Sequence, residues 1–267
     1  MATPFTSILC GVEGNPASTE AARQAIALAA DGGEVHFVAV CTSFELGPDY
    51  HRDTLETSLE EAVVLAGKAG VPAATQMREA KYAIDVLLPE SQEHDLLVLG
   101  THGKSRASGI MFGSTASEAA HGTEQPLLIA REAPGSDPFP QSILFASDGT
   151  AGSWSPARTA ARLASAFDAE LGVIHVADSG DDRHSVLDEQ VAEIEEATGA
   201  APELSRPEGH ATKEIVETAR AKGASLIVAG RRGLRGIKAL GSVSERVVSS
   251  ADCSVLLIPA GEDASKL

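Results

Sequence analysis

Leu96-Leu97-Val98-Leu99-Gly100-Thr101-His102-Gly103, followed after nine residues by Gly113-Ser114, returns about 130 residues later in the chain. The second copy reads Leu226-Ile227-Val228-Ala229-Gly230-Arg231-Arg232-Gly233, followed after seven residues by Gly241-Ser242. Each copy is an apolar strand that runs into a glycine-spaced loop opening a helix. Such a loop gathers backbone N–H groups at a helix N-terminus, an arrangement suited to a phosphate. A repeat of this length predicts two similar domains, each with its own candidate site.

Outward from the two loops, short all-apolar runs alternate with amphipathic stretches. In the first half the strands are read at 7–12, 35–40, 73–77, 96–99 and 127–130. Helices fall at 19–30 with Ser18 as cap, at 55–69 with Leu55, Leu59, Ala62, Val63 and Ala66 on one stripe, at 83–89 and at 114–121. The second half repeats the order, with strands at 143–147, 170–176, 226–229 and 255–258 and helices from Ser153 or Ser155 to Phe167, then at 186–198, 212–221 and 242–250. The Pro-rich stretch 134–141 separates a first domain, 1–133, from a second, 142–267, because its prolines cannot continue a helix or a central strand. Buried strands alternating with helices imply parallel sheets covered on both faces. Ligands in such sheets bind beyond the carboxyl ends of the strands, where strand order reverses. Glu13 and Asp148 follow the first strands of the two halves and belong to that edge, as do the glycine loops.

Composition narrows the function. The chain has 267 residues, 43% hydrophobic but only 4% aromatic, so its cores are aliphatic. A net charge of −17 excludes extended nucleic-acid contact, since nothing would neutralise the phosphate backbone. No apolar run approaches the length of a membrane span. Three scattered cysteines, Cys10, Cys41 and Cys253, have neither metal-ligand spacing nor an even count, which together with the lack of a signal peptide predicts a reducing cytoplasm.

The repeated pattern resembles the universal stress protein family over nearly the full length of both halves. The carrying motif is Gly, two residues, Gly, nine residues, Gly-Ser/Thr, which Gly100, Gly103, Gly113 and Ser114 fit without a gap. Asp148-Gly149-Thr150 matches the Asp-Gly-Ser of the family, and the segment from Ser242 through Pro259 is typical of its ending. The resemblance implies two Rossmann-like domains of the adenine nucleotide alpha hydrolase-like kind, each a five-stranded mostly parallel sheet with helices on both faces. It further implies that the glycine motif and its Ser hold the phosphates of ATP or AMP, with magnesium accompanying ATP. Glu13 and Asp148 would contact the nucleoside, and the backbone at Val40 and Val176 would read adenine. The second set of phosphate ligands would be Gly230, Gly233, Gly241 and Ser242. Family members often dimerise through their last strands, which implies an internal pseudo-dimer through 127–130 and 255–258, and a homodimer of whole chains is open.

Both copies depart from the motif. The first has Glu13-Gly14-Asn15 in place of Asp-Gly-Ser, one methylene longer at the acid, and the second has a glycine loop two residues shorter. Both loops are basic islands in an acidic chain: Lys104 and Arg106 in the first, Arg231, Arg232, Arg235 and Lys238 in the second. Gly103-Lys104-Ser105 is not a Walker A loop, because the glycine such a loop needs five positions earlier is Val98. His102 has no histidine counterpart in the second loop, and His36 and His175 read as structural strand residues. Trp154 stands near Asp148 as a reporter of the second site or as a packing residue. The acidic helix with Asp188, Glu189, Glu193, Glu195 and Glu196 reads as a solvated face. The expected function is an adenine-nucleotide-binding, non-catalytic stress-response or regulatory module. The alternatives are a ligand-free interaction protein and, below it, a slow ATPase. The chain lacks the Ser-Gly-Gly-x-Asp-Ser loop of related pyrophosphatases and the His-Ile-Gly-His signature of adenylyl transferases.

Overall fold

A computed structural model describes residues 3–29, 32–42, 48–101, 113–132, 138–177, 184–231 and 240–260, the side chains of 48–51 and 184 excepted. The chain divides into two compact units, one Phe5–Glu132 and the other Ala133–Leu267 with Met1–Pro4.

The first unit runs β1 (Ser7–Val12), α1 (Pro16–Leu28), β2 (Glu34–Thr42), α2 (Pro48–Ala69), β3 (Ala73–Ala80), α3 (Ile84–Ser91), β4 (Leu96–Gly100), α4 (Ser114–Gly122) and β5 (Leu127–Ala130). Its sheet has the order β3-β2-β1-β4-β5, every neighbouring pair parallel. Strand order therefore reverses between β1 and β4. Helices α1 and α2 pack on each other, as do α3 and α4, so the sheet carries one helical pair per face. The interior is aliphatic around Phe37, with Ile8, Leu9, Leu96, Leu97, Leu127 and Leu128 wholly enclosed.

The second unit repeats this plan. It runs β6 (Ser142–Ala146), a 3-10 turn (Ala151–Ser153), α5 (Trp154–Phe167), β7 (Glu170–Ile174), α6 (His184–Thr198), β8 (Glu203–Ser205), α7 (Ala211–Ala221), β9 (Leu226–Gly230), α8 (Ser242–Ser250) and β10 (Ser254–Ile258). Its parallel order is β8-β7-β6-β9-β10, with the reversal between β6 and β9. Phe145, Leu144, Ile227, Val228 and Leu256 fill the core.

Several local expectations change. The cap of α1 is Asn15, not Ser18: the Asn15 side chain accepts from Ser18 N at 2.8 Å, and Ser18 Oγ accepts from Asn15 N at 3.2 Å. The two residues form a reciprocal capping box, and Pro16 takes the first helical position, where its missing N–H costs nothing. On α2 the buried stripe is Leu55, Leu59, Ala62 and Ala66, whereas Val63 is 39% exposed because it sits at the stripe's edge. Strand β7 ends at Ile174, so His175 and Val176 lie just past it. The acidic face of α6 is solvated, with Asp188 paired to Arg206 and Glu193 to Arg158. No helix among the described residues is long and apolar enough to cross a membrane.

Candidate functional site

Beyond the carboxyl edge of each sheet, at the point where strand order reverses, lies a pocket. In the first unit it has a volume of about 410 Å³. Strands β1, β2 and β4 and helices α1 to α4 all contribute to its walls. Strand β1 delivers Val12 and Glu13, β2 delivers Val40 and Thr42, β4 delivers Gly100, and α4 delivers Ser114 at its first turn. Four of the residues expected from sequence (Glu13, Val40, Gly100 and Ser114) thus line one cavity despite lying up to about 100 positions apart in the chain.

The local chemistry sets their geometry. After β1 the chain turns at Gly14 with φ +73°, a left-handed conformation that glycine adopts without strain. The Glu13 carboxylate accepts from Asn15 Nδ2 at 3.1 Å, so the capping residue also steadies the acid. Gly100 is needed for a different reason: a Cβ there would lie 2.4 Å from the carbonyl oxygen of Ala17, inside the first turn of α1. A plain N-cap is the structural alternative for Ser114. The cap is instead Gly113, and Ser114 is the first helical residue. Among the described residues no side chain caps this helix start, and its N–H groups carry the partial positive charge of the helix end toward the pocket edge. Gly103, His102, Lys104 and Arg106 lie outside the described residues.

The second pocket has a volume of about 260 Å³ and is lined by Asp148, Val176, Gly230, Gly241 and Ser242, again the residues expected from sequence, together with Ile215, Val243 and Val247. Gly233, Arg232, Arg235 and Lys238 lie outside the described residues. Asp148 Oδ1 accepts from Thr150 N at 3.0 Å and from Thr150 Oγ1 at 2.7 Å, an Asx turn that passes through Gly149 at φ +69°. Behind this turn lies a buried polar network that the sequence did not reveal. Ser147 Oγ donates to Gln190 Oε1 at 2.7 Å, and Gln190 Nε2 donates to Ser153 Oγ at 2.9 Å. His175 Nδ1 is 3.0 Å from the Ser147 carbonyl, and Gln190 is wholly enclosed. The network holds the acid-bearing turn from below.

The two sites are not equivalent. Gly241 N donates to the Arg231 carbonyl at 2.9 Å, which engages one of the loop amides expected to face an anion. Arg231 itself is folded inside at 2% exposure and does not line the pocket, contrary to its reading as part of an open basic island. Trp154 is not among the lining residues either. Its ring packs under Arg158, whose guanidinium carbon is 5.4 Å from the ring centroid. The first pocket gains residues that sequence reasoning missed, Lys81, Tyr82 and Glu118. Their signal was available in principle, since Lys81 and Tyr82 follow a strand and so belong to the same edge.

Comparison with known proteins agrees with this architecture. The universal stress protein family profile matches residues 4–131 and again 140–259. The chain belongs to the universal stress protein family. A universal stress protein of Methanocaldococcus jannaschii is 33% identical over 138 residues, 44% of this chain and 81% of that relative. Among solved structures, a universal stress protein of Archaeoglobus fulgidus superposes with a TM-score of 0.77 at 21% identity, covering 96% of this chain and 99% of its own. A functionally unknown protein of Pseudomonas aeruginosa superposes at 0.70 and 16% identity, covering 96% and 93%. These structural likenesses speak to the fold. The universal stress protein described here therefore carries two family domains in tandem.

Proposed function

We propose that this tandem universal stress protein is a nucleotide-binding regulatory module whose principal site is the first pocket, with an adenine nucleotide, ATP or AMP, as its ligand. The observation that carries the reading is the convergence of Glu13, Val40, Gly100 and Ser114 on one 410 Å³ cavity at the strand-order reversal. The start of α4 suits a phosphate, and Glu13 stands where a ribose hydroxyl can donate to it. Among the described residues no cluster of three or more His, Cys, Asp or Glu is placed to hold a metal. Magnesium accompanying ATP would be held by the triphosphate. Bound nucleotide stabilises the folded state by mass action and biases the conformation that a partner reads. A cytoplasmic location is part of the proposal, supported by three cysteines that form no disulfide.

The second pocket favours a different reading. Its smaller volume and the engaged Gly241 amide support a domain that serves chiefly as an interaction surface.

Thermal unfolding with and without ATP or AMP tests the proposal. At ligand 100 times above Kd the wild-type protein gains ~2.7 kcal/mol, a shift of several degrees. Gly113→Ala with Ser114→Ala weakens the shift at least about tenfold in ligand concentration, by removing the hydroxyl and crowding the amides. Gly113 has φ −58° and ψ 146°, which alanine adopts readily, so the double variant folds. An unshifted wild-type midpoint at millimolar nucleotide would remove the proposal.

A further inference from the structure

The exit of β3 places an aromatic ring at the first pocket. Lys81 and Tyr82 follow this strand directly, and both line the cavity. The chain has only two tyrosines and one tryptophan, and the phenylalanines Phe37 and Phe145 are wholly buried in the cores. Tyr82 is instead 52% exposed. An exposed ring at the edge of a cavity keeps apolar surface in water that a planar ligand could cover. Lys81 Nζ lies 5.0 Å from the Tyr82 ring centroid, a cation–π contact that restrains the ring and leaves half of the residue's surface open. The same cavity is walled by Val40, Ile84 and Leu87, so an aromatic lip stands beside an aliphatic floor. A flat heterocycle fits between such surfaces by stacking on one and packing on the other.

We propose that Tyr82 is the base-stacking, specificity-determining residue of the first pocket, and that Lys81 positions its ring. The ligand class is then a nucleotide with an intact planar base, and a sugar phosphate or inorganic phosphate is a poor substitute. This inference rests on the nucleotide reading of the pocket and adds which side chain grips the base. Among the described residues the second pocket has no counterpart. There the chain passes from β8 to α7 through Gly209 and His210, and His210 is not among the described lining residues. Among the described lining residues the aromatic ring is His175, which is buried and tied to Ser147. Dependence on the base therefore belongs to the first half of the chain.

The test uses the full chain labelled with 3-fluorotyrosine. Its two tyrosine resonances are assigned by Tyr82→Phe and followed by fluorine NMR as AMP or ribose 5-phosphate is added. AMP shifts the Tyr82 resonance by the ring current of the base, and ribose 5-phosphate leaves it in place. Calorimetry on Tyr82→Ala, Tyr82→Phe and Tyr82→Trp supplies the affinities. The alanine variant loses about tenfold in AMP affinity, the phenylalanine and tryptophan variants keep it within about twofold, and binding of ribose 5-phosphate does not change. Unaltered AMP affinity in Tyr82→Ala, or a Tyr82 resonance indifferent to AMP, overturns the inference and leaves the nucleotide site standing. Failure of the wild-type protein to bind AMP or ATP at all overturns both.

Discussion

Gly100 shows how one missing methyl group shapes the first pocket. The glycine was legible as part of a phosphate loop, but its immediate physical reason is packing. The nearest neighbours of a Cβ at this position would be the backbone oxygen and carbon of Ala17, at 2.4 and 2.6 Å, and backbone does not yield as a flexible side chain does. Gly100→Ala therefore pushes the start of α1 away from β4. We expect it to destabilise the first unit by about 1–3 kcal/mol in urea unfolding and to weaken AMP binding in step, because the same turn carries Glu13 and Asn15. An alanine variant with wild-type stability would show that α1 is not fixed by this contact. Residue types were readable at such positions, whereas their partners were not. The cap passed from Ser18 to Asn15, because caps depend on backbone dihedrals that several neighbouring residues can adopt.

Among the elements, the short all-apolar strands β1, β4, β6, β9 and β10 were legible because strands buried on both faces admit little else. The lateral strands were less so. The sequence reading ends the strand at Met77, yet β3 continues through Arg78, Glu79 and Ala80, because only one face of it requires apolar side chains. That early ending is why Lys81 and Tyr82 were not placed at the carboxyl edge. Strand β8 spans three residues, Glu203–Ser205, too few for any periodicity to register.

At the opposite edge, the entry to β4 holds β1 in register through Asp95. Its Oδ2 accepts from Thr6 N at 3.0 Å, Thr6 Oγ1 at 2.8 Å and Ser7 N at 3.1 Å. Partial burial raises the carboxyl pKa, but these hydrogen bonds from Thr6 and Ser7 more than offset it, and the net shift is downward. His94 bonds Ser7 Oγ at 2.8 Å and meets the His36 ring at 4.8 Å; burial, reinforced by the His36 charge, lowers its pKa. Glu34, Glu90 and Glu93 oppose that shift without reversing it.

Both groups have lower pKa values folded than unfolded, so in each case the unfolded chain binds the proton first. Stability is therefore lost on acidification. His94 acts as pH drops below the ordinary histidine value of about 6.5, and Asp95 acts below the ordinary carboxylate value of about 3.9. Urea unfolding between pH 7.5 and 3 should show this fall. His94→Gln should flatten the upper part of the profile and Asp95→Asn the lower part, and an unchanged slope in both variants would refute the assignment.

For the molecule as a whole, the duplication was plain from two strand–glycine-loop–helix segments, whereas the inequality of the two sites emerged only with the side chains in place. A shortened loop and a changed acid announced some difference. They did not announce that Arg231 turns inward, that Gly241 N is engaged, or that the second acid-bearing turn rests on a Ser147–Gln190–Ser153 network. Calorimetric titration of the intact chain with AMP should accordingly yield one tight site per chain, with any second binding at least about tenfold weaker. Two equal sites would contradict the division of roles between the halves.

The central claim is that the cavity at the strand reversal of the first unit holds an adenine nucleotide, and a crystal structure of the full chain grown with AMP addresses it directly. The predicted result is electron density with the phosphate at the start of α4 near Ser114, the ribose beside Glu13, and the base between Val40 and Tyr82. An ordered but ligand-free first pocket at saturating AMP, or nucleotide bound elsewhere on the protein, would contradict the account.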